Sequence, residues 1–147
     1  MDISKTYALS LAPRILFGVG TVQQVGSEAG RLGITRALVV TDGGLVQTDI
    51  PGKVTKALDD AGVKWTLFGE VEPNPSIGTV HKGLEAYTRQ QCDGIVAIGG
   101  GSPIDAAKAI GILATNGGEI REYFGADRIK KPLPPLVAIP TTCGTGS

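Results

Sequence analysis

Gly94-Ile95-Val96-Ala97-Ile98-Gly99-Gly100-Gly101-Ser102-Pro103-Ile104-Asp105-Ala106-Ala107-Lys108 passes from an apolar run through three glycines into an Ala-rich stretch. The run from Gly94 to Ile98 has no polar alternation, as expected of a strand covered on both faces in a parallel sheet. A helix is predicted from Pro103 to about Thr115. Its Ile104, Ala106, Ala107, Ala109, Ile110, Ile112 and Leu113 make it apolar nearly all round, which places it deep in the molecule. Between strand and helix, successive residues without Cβ let main-chain N–H groups approach an anion closely, and the positive end of the helix dipole points to the same place. Ser102 and Asp105 can also cap the helix reciprocally, so a structural role for both stays open.

The same alternation extends outward. Upstream, Arg36 to Asp42 contains Ala37-Leu38-Val39-Val40, a second apolar run. Pro51 suits a first helical turn, and Val54, Ala57, Leu58 and Ala61 form a stripe before Gly62. Lys64 to Phe68 reads as a strand. Glu70 to Pro75 reads as a loop, because each proline removes a ladder donor and biases its predecessor away from helix. Ser76 can cap the next helix, which carries Val80, Leu84 and Tyr87. Nearer the N-terminus, after an extended start, Arg14 to Phe17 reads as a short strand ending at Gly18-Val19-Gly20. Thr21 can then cap a helix that presents Val22, Val25, Ala29 and Leu32 and stops at Gly33. Downstream, the Pro-rich stretch Asp127 to Pro135 leads to a strand at Leu136 to Ile139. The pattern predicts a Rossmann-like, doubly wound α/β fold, with a mainly parallel sheet and helices on both faces. Residues 1–147 are expected to form one dinucleotide-binding domain.

Composition narrows the function classes. Fourteen Lys plus Arg balance fourteen Asp plus Glu, so no charge excess favours nucleic acid or an anionic membrane. The 22 glycines are about twice the usual share, lie among strong apolar runs without a collagen period, and signal tight turns. Cys92 and Cys143 lack metal-type spacing and suit a reducing compartment. The start Met1-Asp2-Ile3-Ser4-Lys5 has no leader pattern and no run is long enough to span a membrane, so a cytoplasmic protein is expected.

Two glycine loops compete for a phosphate. Gly18-Val19-Gly20 imitates a dinucleotide fingerprint but has Gln23 where the third glycine belongs, leaving a tight turn or a cofactor contact as its readings. Gly99, Gly100, Gly101 and Ser102 make the better pyrophosphate cradle. Asp42, at the carboxyl end of its strand, is placed to accept hydrogen bonds from an adenosine ribose and to repel the extra phosphate of NADP, which predicts NAD. It also reads as a turn aspartate beside Gly43-Gly44. Pro140-Thr141-Thr142-Cys143-Gly144-Thr145-Gly146-Ser147 ends the last strand in hydroxyls and glycines, where ligands gather in such sheets, or forms a plain loop. Lys108 reads as a phosphate contact or a solvated lysine, and Cys143, without a histidine near it in sequence, as a quiet thiol.

Together, Phe17-Gly18-Val19-Gly20, Val40-Thr41-Asp42, Pro73-Asn74-Pro75, the run from Gly99 to Lys108 and the run from Pro140 to Ser147 resemble the iron-containing, or group III, alcohol dehydrogenases, which include lactaldehyde reductases and propanediol dehydrogenases. The resemblance implies that this chain is the family's N-terminal nucleotide-binding domain. It puts Asp42 on the adenosine ribose, Asn74 nearby, Gly100, Gly101 and Ser102 on the pyrophosphate, Asp105 near the nicotinamide end, and Thr141, Thr142 and Thr145 along the cofactor cleft. It further implies hydride transfer between a small primary alcohol or diol and NAD(H), assisted by a divalent metal, Fe or Zn, held by an Asp and three His of a helical C-terminal domain.

This sequence has a single histidine, His81, so those ligands and that domain are absent from these residues. The chain is therefore expected to be a fragment that binds NAD without catalysing, from an enzyme expected to be a homo-oligomer that binds neither nucleic acid nor membrane. Two alternatives are a stand-alone nucleotide-binding module and a relative of glycerol dehydrogenase. The apolar helix after the glycines has a second possible use as well, as a face for the missing domain that would leave a sticky patch.

Overall fold

The computed structural model describes residues 13–125 and 127–146; the extended start, the Met1 to Lys5 reading and Ser147 lie outside them. Four strands, β1 (Arg36–Asp42), β2 (Lys64–Val71), β3 (Gly94–Gly99) and β4 (Leu136–Pro140), form one sheet in the order β2-β1-β3-β4. Every neighbouring pair is parallel. The helices between them are α1 (Val25–Arg31), α2 (Gly43–Val46), α3 (Ile50–Asp60), α4 (Ile77–Arg89) and α5 (Gly101–Asn116). No helix among the described residues is long and apolar enough to cross a membrane.

The apolar runs of β1 and β3 serve two cores at once, because successive side chains of a strand point to opposite faces. Leu38, Val40, Ile95 and Ala97 pack with Val80 of α4 and with Ile104, Ile110 and Leu113 of α5. Ala37, Val39, Val96 and Ile98 pack with Val25 and Ala29 of α1 and with Val54 and Leu58 of α3. Each fully buried Val, Leu or Ile contributes about 1.5–3 kcal/mol, so the central pair of strands anchors both layers. At the amino ends of the same strands the Asp93 carboxylate accepts from the N–H groups of Thr35 and Arg36 and from the Thr35 hydroxyl, tying β1 to β3.

Four local expectations change. Arg14 to Phe17 is not a strand: it pairs with nothing in the sheet, and Ile15, Phe17 and Val19 stand exposed. Thr21 does not cap the first helix. Gly20 precedes a 3-10 turn (Thr21–Gln24) that leads into α1, and the Thr21 hydroxyl donates back to the Gly18 carbonyl instead. β2 runs on to Val71, so Glu70 belongs to the sheet and the loop is shorter than the prolines suggest. Finally, α5 buries Ile104, Ala106, Ala107, Ile110 and Leu113 within this chain and leaves no open apolar face of that kind. Ser76, by contrast, caps α4 as its sequence predicts, accepting from the Thr79 N–H at 3.2 Å, and Gly33 takes its left-handed turn at φ 78°.

Two residues report on this packing. A Cβ on Gly26 of α1 would lie 2.1 Å from the Ala57 carbonyl oxygen of α3 and 2.7 Å from the Cβ of Ala61, the residue that follows that helix. Gly26→Ala must push the two helices apart and is expected to lower stability by about 1–3 kcal/mol; an unchanged urea midpoint would refute this close approach. Thr41 is fully buried and its hydroxyl has no partner among the described residues. Since an unsatisfied buried hydroxyl costs about 1–3 kcal/mol, Thr41→Val is expected to raise the unfolding midpoint. A clear drop in the melt would show that the hydroxyl is satisfied after all.

Candidate functional site

In the order β2-β1-β3-β4 the chain leaves β1 toward one edge of the sheet and β3 toward the other. Such a reversal opens a crevice at the carboxyl ends of the two strands, the usual ligand position in an open α/β sheet. A cavity of about 670 Å³ lies there, lined by residues 42–45, 71–73, 100–103, 141 and 142.

The glycine bend shapes its floor. Gly99 closes β3 at φ 143°, a conformation that side-chain-bearing residues rarely adopt, and a Cβ there would come 2.6 Å from Pro103 Cγ and 3.3 Å from Asp42 Oδ2. Gly100 follows as the residue before α5, with no side chain capping the helix. The first amides of a 16-residue helix therefore open at the cavity, where its dipole places roughly half a positive charge. The carbonyl of Gly99 accepts from the Thr141 N–H at 2.9 Å, fastening the loop after β4 to the bend. A Cβ on Gly100 would lie only 3.1 Å from the Thr142 hydroxyl, so that hydroxyl sits against the bend itself.

Asp42, Gly100, Gly101, Ser102, Thr141 and Thr142 are thus brought together around one cavity. Asp42 uses Oδ1 to cap α2, accepting from the Leu45 N–H at 2.9 Å, while Oδ2 stands next to Gly99. Asn74 joins through its main chain: held at φ 55°, it donates its N–H to Ser102 Oγ at 3.3 Å. Ser102 does not stand at the N-cap position expected of it, because α5 already begins at Gly101 and puts Ser102 inside the first turn. Asp105 and Thr145 do not line the cavity; Asp105 lies 3.8 Å from Lys108 Nζ across one turn of α5, which turns that lysine toward a carboxylate. Gly18 and Gly20 also lie away from it. Burial pushes the Cys92 thiol up to about 11, while Cys143 is exposed.

Sequence reasoning missed Gly43, Gly44 and Glu72 as lining residues. The two glycines carry the signal that finds Gly99 to Gly101, a glycine run at a strand's carboxyl end. Glu72 is less legible. Its carboxylate accepts from the Thr79 hydroxyl at 2.6 and 2.7 Å and from the Ser76 N–H at 2.9 Å. Those bonds, the Thr79 hydroxyl first, hold its pKa down to about 2.

The cradle fits a dinucleotide. Its floor excludes a Cβ, the glycine at the N-cap position sets no side chain over the first amides of α5, and among the described residues the charged side chains lining it, those of Asp42 and Glu72, are acidic. A family metal does not fit. Among the described residues no three His, Cys, Asp or Glu side chains gather as a divalent ion requires, and the sequence has one histidine.

The iron-containing alcohol dehydrogenase family model matches residues 12–147. The chain belongs to that family. It is 43% identical over 150 residues to choline dehydrogenase of Bacillus subtilis, covering 99% of this chain and 37% of that protein. It is 42% identical over 137 residues to the NAD-dependent methanol dehydrogenase of Bacillus methanolicus, covering 93% and 36%. The crystal structure of a 1,3-propanediol oxidoreductase superposes with a TM-score of 0.85 at 44% identity, over 87% of this chain and 34% of that one. Lactaldehyde reductases and 1,3-propanediol dehydrogenases match as well. The chain spans about a third of the length of these relatives.

The hydrogen bonds to Glu72 stabilise its ionised form in the folded chain only. That contribution is full above the ordinary carboxylate value of 4.5 and disappears as pH falls toward about 2. Glu72→Gln, which resembles the protonated form, is therefore expected to lower the melting temperature most at pH 7 and to converge on the parent as pH falls toward about 2, flattening part of the acid limb. Identical acid limbs for the two proteins would contradict the bonding described.

Proposed function

We propose that this chain is the NAD-binding half of a metal-dependent alcohol dehydrogenase that transfers hydride between a small primary alcohol or diol and NAD. The observation that carries the reading is the glycine start of α5, bent at Gly99 and opening on a cavity whose charged side chains among the described residues are both acidic. With no cationic side chain on that wall among the described residues, attraction for a pyrophosphate comes from the N–H groups of Gly101 and Ser102 and from the helix dipole. Gly99 and Gly100 let the two phosphates approach the main chain, and the hydroxyls of Thr141 and Thr142 flank them. Oδ2 of Asp42, beside Gly99, takes the adenosine ribose hydroxyls, with the Asn74 turn alongside. Asp105 serves the nicotinamide end and Thr145 the cofactor cleft, both outside the cavity's own lining. When bound, NAD supplies the hydride acceptor; this chain binds it, orients it and selects it over NADP by charge.

The metal and the remaining wall of the substrate pocket belong, on this reading, to sequence beyond these residues, as the relatives' greater length suggests. The enzyme is then cytoplasmic and homo-oligomeric, and the 147-residue chain binds cofactor without turning over alcohol.

Titration calorimetry of the chain with NADH, ADP-ribose and NADPH tests this. NADH and ADP-ribose are expected to bind, and NADPH about tenfold or more weaker, since a like charge a few ångströms away costs about 1–4 kcal/mol. Asp42→Ala should narrow that gap. Absence of heat with NADH and ADP-ribose would sink the proposal, and NADH formation by this chain from NAD, an alcohol and added Fe or Zn would overturn the division of labour.

A further inference from the structure

We propose that Glu72 is a positioning residue for the cofactor cleft, closing the turn after β2 so that the main chain of Asn74 is set against Ser102 at the start of α5. The inference rests on the dinucleotide reading above and extends it to a residue that need not touch the ligand. The turn runs Glu72-Pro73-Asn74-Pro75-Ser76. Because Pro73 and Pro75 have no N–H, the segment from 73 to 76 owns only two main-chain donors. The Ser76 N–H goes to Glu72 Oε1 at 2.9 Å, and the Asn74 N–H goes to Ser102 Oγ at 3.3 Å. The turn therefore has one anchor to its own beginning and one to the helix that carries the phosphate cradle.

The carboxylate is itself fixed from α4. Thr79, buried in the first turn of that helix, donates its hydroxyl to both carboxylate oxygens, and Ser76 Oγ caps the same helix. With its acceptors occupied by its own chain, Glu72 is poorly placed to bind ribose and instead holds shape. Asn74 sits between the anchors at φ 55°, in the left-handed region that asparagine tolerates better than most residues with a side chain. Glu72 and Pro73 line the cavity across from residues 100–103, so a turn that drifts alters the cleft's width and frees the Ser102 hydroxyl.

The test is NADH affinity by calorimetry on the intact chain, at a temperature where circular dichroism shows every variant folded. Glu72→Ala is expected to weaken binding about tenfold, and Glu72→Gln, which keeps an acceptor for Ser76 and Thr79, to stay within about threefold of the parent. Acting through Asn74 and Ser102, Glu72→Ala and Ser102→Ala should be non-additive, the double variant losing little more than the worse single one. If Glu72→Ala does not fold, Thr79→Val, which removes the carboxylate's main donor, should weaken binding with the same coupling to Ser102→Ala. Parent-like affinity in the alanine variant (or in Thr79→Val, should it serve), or losses that simply multiply, overturns the inference while the cleft assignment stands. A parent chain that binds no NADH overturns both.

Discussion

Between β3 and α5 the chain turns through a space that has no room for a side chain. Pro103 crowds one side of Gly99 and the Asp42 carboxylate the other. The bend brings the first turn of α5 up against the carboxyl end of the most buried strand, so the start of the helix faces a crevice rather than bulk solvent. The rest of the site is arranged around this point: β1 delivers Asp42 beside the bend, β4 pins its loop to the Gly99 carbonyl, and the turn after β2 reaches Ser102. The two hydrophobic layers keep β1 and β3 in register and so hold these parts in place.

Charge gives the cleft a definite character. A pocket lined by two carboxylates and no cation would repel phosphates if side chains were all that mattered. Here the main chain reverses that balance locally, through amides and a helix dipole at one end, while the acidic groups remain elsewhere on the wall. Glu72 is held ionised by the Thr79 hydroxyl of α4 and by the Ser76 N–H of its own loop, so its charge and its position arise from the same bonds. Asp42 likewise divides its oxygens between capping α2 and standing beside Gly99.

Membership of the iron-containing alcohol dehydrogenase family accounts for the order of the motifs along the chain, and the residues here correspond to about a third of the relatives' length. The glycine bend, Asp42 and the loop after β4 all lie within that third. The side chains for a divalent metal are not among the described residues, and one histidine in the sequence cannot make up such a set. The role proposed for this chain is accordingly confined to holding NAD.

The sequence by itself determined the sheet and the bend. Apolar runs without alternation, such as Ala37 to Val40 and Ile95 to Ile98, can be satisfied only by burial on both faces, and glycines at a strand's end mark a conformation that side chains resist; both signals are local. Tertiary structure alone decided what depends on a partner in space. Arg14 to Phe17 has strand-forming residues but pairs with no strand of the sheet, and Ser102, which locally resembles a helix cap, instead accepts from Asn74, 28 residues away. Glu72 looks like one more charge in a loop until Ser76 and Thr79 fold back onto it. A chain's pattern states which groups must be buried or bent, but hydrogen bonds between distant segments exist only once packing has brought donor and acceptor within reach.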